Sequence, residues 1–369
     1  MIMLLHKNKK KNKIVITAGG TGGHVFPALS LAEELIRKKN NVVFIFDPRV
    51  RKIIFQNKHL FKKKFIKYYS LNISKNLKYI FTNFLSLIRA IFILKKEKPN
   101  LIVGFGGYTS FVTLISAKIL LKPIILHEQN ISIGLINKLF LPISRKIILG
   151  MGDKNNLNVY SDEKYVFIRN PVRKSILNLR KRIRFNFNKK KIVILIIGGS
   201  QGAMILGTII PEVINLIPEK IRKRIFVYHQ CSEKNFKEIK SKYISMNIKA
   251  NCKIFFNNLP EIMFKSNLVI SRAGASSISE ITALGRPAIL IPYKFAKNNH
   301  QLKNAKWFAS KGAGTFFEEK DLNIEVLKRK IVEFLSDFEK LKKMSKLSYL
   351  LADTQAQKKI SQLINEIKK

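Results

Sequence analysis

Short runs of β-branched and other apolar residues alternate along the chain with glycine-bearing turns and then with helical patterns. Lys13–Thr17 (KIVIT) leads into AGGTGGH and PALSLAEELIRKK, and Asn41–Phe46 forms a second apolar run. Leu101–Val103 leads into GFGGYTS, and Pro123–Leu126 leads into HEQN. The second half repeats the theme: Lys191–Ile197 (KIVILII) before GGSQGA, Leu268–Ile270 before SRAGASS and SISEITAL, and Ala288–Ile291 before PYKF. Strands alternating with helices predict an α/β protein of parallel sheets covered by helices on both faces. Ligands of such sheets collect beyond the carboxyl ends of the strands, where all these turns lie. The charged tract Arg169 to Lys191, with its Asn170-Pro171 pair, separates the two sets and puts a hinge near Asn170. The expected units are therefore residues 1–169 and 170–369. The closing segment, Leu341 to Lys369, reads as amphipathic helix whose last part returns to the first unit.

The 369-residue length fits two domains, and 46% hydrophobic residues exclude a disordered chain. Cys231 and Cys252 are too few for a disulfide framework and form no CxxC pair, which points to a reducing compartment and no structural zinc. The opening MIMLLHKNKKKNK has its apolar residues before its basic run, the reverse of a secretory signal, and no stretch approaches the roughly 18 apolar residues of a membrane span. The formal charge of +46 suggests nucleic acid, but it divides into +22 over residues 1–169 and +24 over residues 170–369. So even a spread is not a binding patch. Lys, Asn, Ile and Phe share A/T-rich codons, so compositional bias explains the excess, with an anionic membrane surface the next reading.

The chemistry concentrates at the turns. Gly19-Gly20-Thr21-Gly22-Gly23-His24 follows a strand and opens a helix, so the backbone can approach a ligand closely and offer free N–H groups to an anion or a sugar oxygen. It lacks the G-x-G-x-x-G dinucleotide spacing, and Asp47 alone resembles that motif's ribose acid. A tight packing turn explains the glycines equally well. His24, in the first helical turn, is disfavoured as a cation and can accept a proton near neutral pH. Gly198-Gly199-Ser200-Gln201-Gly202 and Gly274-Ala275-Ser276-Ser277 offer two more anion-compatible helix starts. Glu280, six residues after Gly274, can accept hydrogen bonds from vicinal ribose hydroxyls or make an ordinary salt bridge. His127-Glu128-Gln129-Asn130 ends an apolar strand with four polar residues, which suits a cleft wall. Asn130 and Gln301, beside Asn304, can hydrogen-bond a sugar. No Asp-x-Asp pair, HExxH, Cys/His cluster or P-loop occurs, so neither a metal ion nor another cofactor is expected.

The segments GGTGGHVFPALSLAEEL, GFGGYTS, HEQN, NPVR, GGSQGA, SRAGASSISEITALGRPAILIPY and HQLKNA, in this order and spacing, resemble the MurG family over nearly the whole chain. The resemblance implies a GT-B fold of two doubly wound domains facing a cleft, with transfer of N-acetylglucosamine from UDP-N-acetylglucosamine to the C4 hydroxyl of lipid I, giving lipid II. It implies inversion without a metal, at the cytoplasmic face of the inner membrane. By motif position, Thr21, Gly22, Gly23 and Asn130 would meet the sugar nucleotide, and Arg173 and Ser200 its phosphates. Phe256 would lie at the uracil, Ala275, Ser276, Ser277, Ile278, Ser279 and Glu280 at the diphosphate and ribose, and Gln301 at the donor sugar. His24 is the expected base and Glu128 its rival. Departures fall at Arg169 (usually Gly), FDPRVRKII, HQCSEKN and Met204. The lysine-flanked stripe Leu77, Ile80, Phe81, Phe84, Leu85, Ile88 and Phe92 is either a membrane-surface helix or an ordinary buried one. Other lipid glycosyltransferases, a UDP-sugar epimerase and a basic nucleic-acid-binding protein are the competing readings.

Overall fold

The computed structural model describes residues 12–51, 66–71, 80–153, 163–198 and 204–367. The N-terminal basic run, Leu77, and Gly199 to Ala203 with Ser200 among them lie outside the described residues. Two parallel sheets form, as the alternating pattern predicts. The first holds seven strands in the order β3-β2-β1-β4-β5-β6-β7: β1 Lys13–Ala18, β2 Asn41–Phe46, β3 Ile66–Ser70, β4 Leu101–Gly104, β5 Ile124–Glu128, β6 Lys146–Leu149 and β7 Tyr165–Phe167. The second holds six in the order β10-β9-β8-β11-β12-β13: β8 Ile192–Ile197, β9 Ile225–Gln230, β10 Ala250–Lys253, β11 Leu268–Ser271, β12 Ala288–Leu290 and β13 Gly314–Phe316. The central strands are buried on both faces, which accounts for unbroken apolar runs such as Ile192–Ile197.

Strand order explains where the glycine turns lie. In the first sheet the chain winds outward from β1 to β3, then returns to β4 on the other side of β1. In the second it does the same around β8 and β11. The turn after β1 (GGTGGH) and the turn after β4 (GFGGYTS) thus flank one switch point, and those after β8 and β11 flank the other. Crevices at such points are where open α/β sheets take ligands.

The turns after β1 and β4 also pack on each other. Gly19 N donates to Gly106 O at 3.3 Å. A Cβ on Gly107, whose φ is +85°, would stand 2.6 Å from Gly19 O. Gly107→Ala combines that overlap with a left-handed backbone, and a loss of about 1–3 kcal/mol in unfolding free energy is expected in urea titration. Asp47, the candidate ribose acid, is buried and takes hydrogen bonds from the backbone N and guanidinium of Arg49, closing the turn after β2.

The closing segment is two helices, Phe338–Leu350 and Ala356–Glu366. Asp353 stops the first and opens the second by accepting from Gln355 N at 2.8 Å. Ala356, Ile360 and Ile364 then pack into the core of the first sheet's layer with Val25 and Leu29, and Gln357 donates to Val172 O. The stripe on the Ile80–Glu97 helix is not buried against the sheet: Phe81 is 70%, Phe84 55% and Phe92 65% exposed, with Leu85 and Ile88 beside them. Its opposite edge, Ala90, Ile93 and Leu94, forms the core contact. Among the described residues no helix is long and apolar enough to cross a membrane.

Candidate functional site

The Gly22–Arg37 helix and the Ala275–Ala283 helix meet across the gap between the sheets. A Cβ on Gly23 would lie 3.9 Å from the Ser276 hydroxyl. Neither helix has a side-chain cap: Thr21 and Gly274 stand at their N-cap positions without such a bond. Uncapped helix starts leave N–H groups directed into the cleft, and their dipoles favour an anion there. Of the predicted diphosphate set, Ala275, Ser276 and Ser277 occupy this first turn. The Ile278 side chain is buried in the core and its N–H bonds Gly274 O at 3.0 Å. Ser279 is also committed, donating to Ala275 O and accepting from Asn170.

Glu280 is a buried carboxylate held from one side. Arg173 donates through Nε to Oε1 at 2.6 Å and through Nη2 to Oε2 at 2.7 Å, and its guanidinium rests over the Phe26 ring. Burial works against the charge of Arg173, but the ion pair outweighs it and holds the guanidinium above its ordinary pKa. The salt bridge raised by the sequence is present, and it is compatible with the ribose alternative, since a bidentate arginine uses two of a carboxylate's roughly four acceptor positions. Arg173 thereby orients the Glu280 carboxylate. Phe256 is buried against Tyr228, so only its backbone is available to a base.

The HEQN segment is organised by Glu128. This carboxylate, 2% exposed, accepts from Asn130 N, Asn130 Nδ2, Gly134 N and Asn137 Nδ2 at 2.8–3.1 Å. Four donors occupy its two oxygens, so this carboxylate fixes the shape of the wall, which weighs against it as the base. Glu128→Gln is expected to lower kcat by misplacing Asn130 while leaving the acid limb of the pH–rate profile in place. Disappearance of that limb would return the proton to Glu128. Asn130 spans the gap, with its Oδ1 taking a bond from Asn304 Nδ2 at 3.1 Å. Asn304 also accepts from Ile131 N and donates to Ala273 O. Asn170 makes a second bridge, from Gln129 O to Ser279 Oγ. The sequence singled out Asn304 only as a neighbour of Gln301 and Asn170 only as a hinge; nothing in their spacing announces a cross-bridge. Gln301 accepts from Tyr293 N at 3.0 Å, which leaves its amide N–H groups for a ligand.

His24 lies half-buried with Nε2 over Gly106 and Nδ1 3.5 Å from the Thr21 hydroxyl. Burial holds its pKa below 6.5. The charge of Glu128 and a backbone hydrogen bond with Gly19 oppose this, and His300 from the other sheet's side adds to it. The direction expected from its helix position is present, but desolvation is its main cause. His127 behind it is buried, stacked on Phe105 and pushed down to about 3 by burial, so it stays neutral. At the departures, Arg169 donates to Gly152 O and Asp153 and covers Trp307, tying the hinge to the His300–Ser310 helix. Met204 opens the helix after the undescribed Ser200 turn and is exposed. Among the described residues, no three His, Cys, Asp or Glu side chains gather to hold a metal ion.

Two doubly wound sheets with helix starts facing across a cleft form a GT-B fold, and the comparisons add the family. Residues 14–149 match the glycosyltransferase family 28 N-terminal domain and residues 193–365 its C-terminal domain, so the chain belongs to glycosyltransferase family 28. Within it, the chain belongs to the MurG family. It is 38% identical to the UDP-N-acetylglucosamine–N-acetylmuramyl-(pentapeptide) pyrophosphoryl-undecaprenol N-acetylglucosamine transferase of Rickettsia canadensis, over 96% of this chain and 99% of that protein. It is 35% identical to the protein of that name in a Wolbachia of Brugia malayi, over 90% and 92%. The crystal structure of Acinetobacter baumannii MurG superposes with a TM-score of 0.75 at 24% identity, covering 96% of this chain and 99% of that one. A UDP-GlcNAc 2-epimerase from Neisseria meningitidis shares the fold at 16% identity and a TM-score of 0.69, covering 96% of this chain and 100% of that one.

Proposed function

We propose that the chain transfers N-acetylglucosamine from UDP-N-acetylglucosamine to the C4 hydroxyl of the muramyl sugar of lipid I, with inversion, releasing UDP and giving lipid II for peptidoglycan. The observation that carries this reading is the pair of uncapped helix starts meeting across the cleft beside a carboxylate already oriented by arginine. The donor's diphosphate would sit on the N–H groups of Ala275, Ser276 and Ser277, with its ribose hydroxyls on Glu280 and its sugar near Gln301 and Asn130. Ser200, which the resemblance puts at the phosphates, lies outside the described residues.

His24 takes the proton from the acceptor hydroxyl as its oxygen attacks the anomeric carbon and the bond to the UDP oxygen breaks. A neutral imidazole at physiological pH suits that task. The leaving diphosphate gains charge as it departs, and preorganised N–H dipoles stabilise it without reorganisation. Of the carboxylates nearest this wall, Glu128 is taken up by four protein donors, and Glu280 by Arg173 on one side and, in this reading, by the ribose hydroxyls on the other. This favours charge neutralisation by dipoles over a divalent cation.

Residues 1–169 form the acceptor half and residues 170–369 the donor half in this reading. A polyprenyl acceptor stays in its bilayer, so the acceptor half must reach the surface. The exposed Phe81, Phe84, Leu85, Ile88 and Phe92, near Arg89, Lys95 and Lys96, support a peripheral seat on the anionic cytoplasmic face of the inner membrane. Nucleic acid is not a partner in this reading.

Incubation with labelled UDP-N-acetylglucosamine and a lipid I analogue, with and without EDTA, tests the reaction. Transfer that survives EDTA is expected. Loss of transfer in EDTA, restored by magnesium, would sink the metal-free mechanism, and UDP-sugar turnover without acceptor would favour an epimerase.

A further inference from the structure

The loop after β12 carries a feature that the transfer reaction leaves unused. Two successive turns, Ala296 N to Tyr293 O and Asn299 N to Ala296 O, both at 3.0 Å, fold residues 293–299 into a knuckle. It is locked by Asn298 and Asn299 in left-handed conformation. Its tip is Phe295, 69% exposed, set edge-on to the half-exposed Tyr293 at 5.6 Å between ring centres. Lys294 Nζ lies 4.8 Å from the Phe295 ring centre, and Lys297 is exposed beside it. No acidic residue occurs between Glu280 and Glu318, while Lys294, Lys297, Lys303, Lys306 and Lys311 all fall in that interval. In space the tip is flanked by Lys294 and Lys297, while Arg272, paired with Glu319, lies over the Tyr293 ring behind it. An aromatic tip flanked by lysines matches the water–lipid boundary of an anionic bilayer, where rings sit at headgroup depth and lysines meet phosphate.

The knuckle is also placed beside the membrane-facing helix of the other half. Lys297 Nζ reaches the Tyr108 hydroxyl at 3.3 Å, and Tyr108 opens the Tyr108–Ile119 helix, which packs in one cluster with Leu87, Ala90 and Leu94 of the Ile80–Glu97 helix. That helix ends at Glu97, which Lys13 ties to the start of β1. Its Phe81 and Phe84 end therefore points toward the carboxyl ends of the strands, the side where Lys297 crosses to Tyr108.

We propose that the Tyr293–Lys297 knuckle is a second bilayer contact, carried by the donor half, which seats on anionic lipid next to the Phe81–Phe92 face. This rests on the membrane reading given above. Two contacts on separate halves would fix the cleft mouth at the lipid surface and limit how far the halves swing apart there.

The test uses the full-length protein, whose single tryptophan, Trp307, is buried and gives a constant background. Phe84→Trp and Phe295→Trp are mixed with vesicles of phosphatidylcholine and phosphatidylglycerol whose chains carry bromine near the headgroup. Loss of the added indole's emission is expected in both variants and not in the parent. Phe295→Ser should bind the same vesicles about tenfold more weakly, the scale set by withdrawing one phenyl side chain from an apolar setting, with unchanged turnover of a water-soluble acceptor. Quenching in Phe84→Trp alone would overturn the second contact and leave the first. Quenching in neither would remove the membrane reading with it. A Phe295→Ser variant that binds vesicles normally but turns over the soluble acceptor poorly would make the knuckle an acceptor contact and also overturn the proposal.

Discussion

His24→Ala lowers kcat by about 10²–10⁴-fold, the range supplied by a positioned general base, while KM for the nucleotide sugar changes little. The parent's kcat falls as pH drops, because the reaction needs the neutral imidazole. With its pKa held under 6.5 by burial, that acid limb lies below the position of a solvent-exposed histidine. In His24→Ala the limb disappears along with most of the rate. A variant that keeps full rate, or keeps the limb, removes the base assignment. The neighbouring His127 does not supply a substitute, since it stays neutral down to about 3 and sits buried behind Phe105.

Glu280→Ala gives the second large effect, and it appears as a change in discrimination. Hydrogen bonds to a charged group contribute about 1.5–3 kcal/mol each. Losing the two made to the ribose should weaken UDP binding by about two to four orders of magnitude. The ratio of affinities for UDP and its 2′-deoxy form should fall toward unity. Arg173→Met should show the same loss of discrimination with the carboxylate still present, because the arginine fixes which oxygen positions face the cleft. If Arg173→Met weakened UDP and 2′-deoxy-UDP equally and kept their ratio, the guanidinium would be acting on phosphate instead. Glu280→Ala also leaves Arg173 largely buried without its partner, at a cost of about 3 kcal/mol in stability. Binding is therefore compared at a temperature where calorimetry shows both variants folded.

The parts legible in the sequence are those written in local pattern. Apolar runs buried on both faces, followed by glycine turns, marked β1, β2, β4, β5, β8, β11 and β12, and with them both parallel sheets. Strands β3, β7, β10 and β13 carry no comparable signature: three of them have only three or four residues, and β10 (ANCK) is half-polar. The candidate site was legible as a set of residue types and not as their pairings. Nothing local says that Glu280 meets an arginine 107 positions earlier, or that Asn304 reaches Asn130. Such contacts are fixed only when two sheets face each other. Glu128 shows the same limit in reverse: a carboxylate at a strand end looks reactive until four donors are found around it. The wide stripe on the Ile80–Glu97 helix was undecidable by periodicity alone, because its exposed edge and its sheet-facing edge are both apolar.

A crystal structure of the protein with UDP tests the central claim most directly. The expected result is a diphosphate seated on the backbone N–H groups of Ala275 to Ser277, with the ribose hydroxyls on the free side of the Glu280 carboxylate and Arg173 still behind it. Phosphates bridged by magnesium, or lying away from the turns that follow β8 and β11, would contradict it.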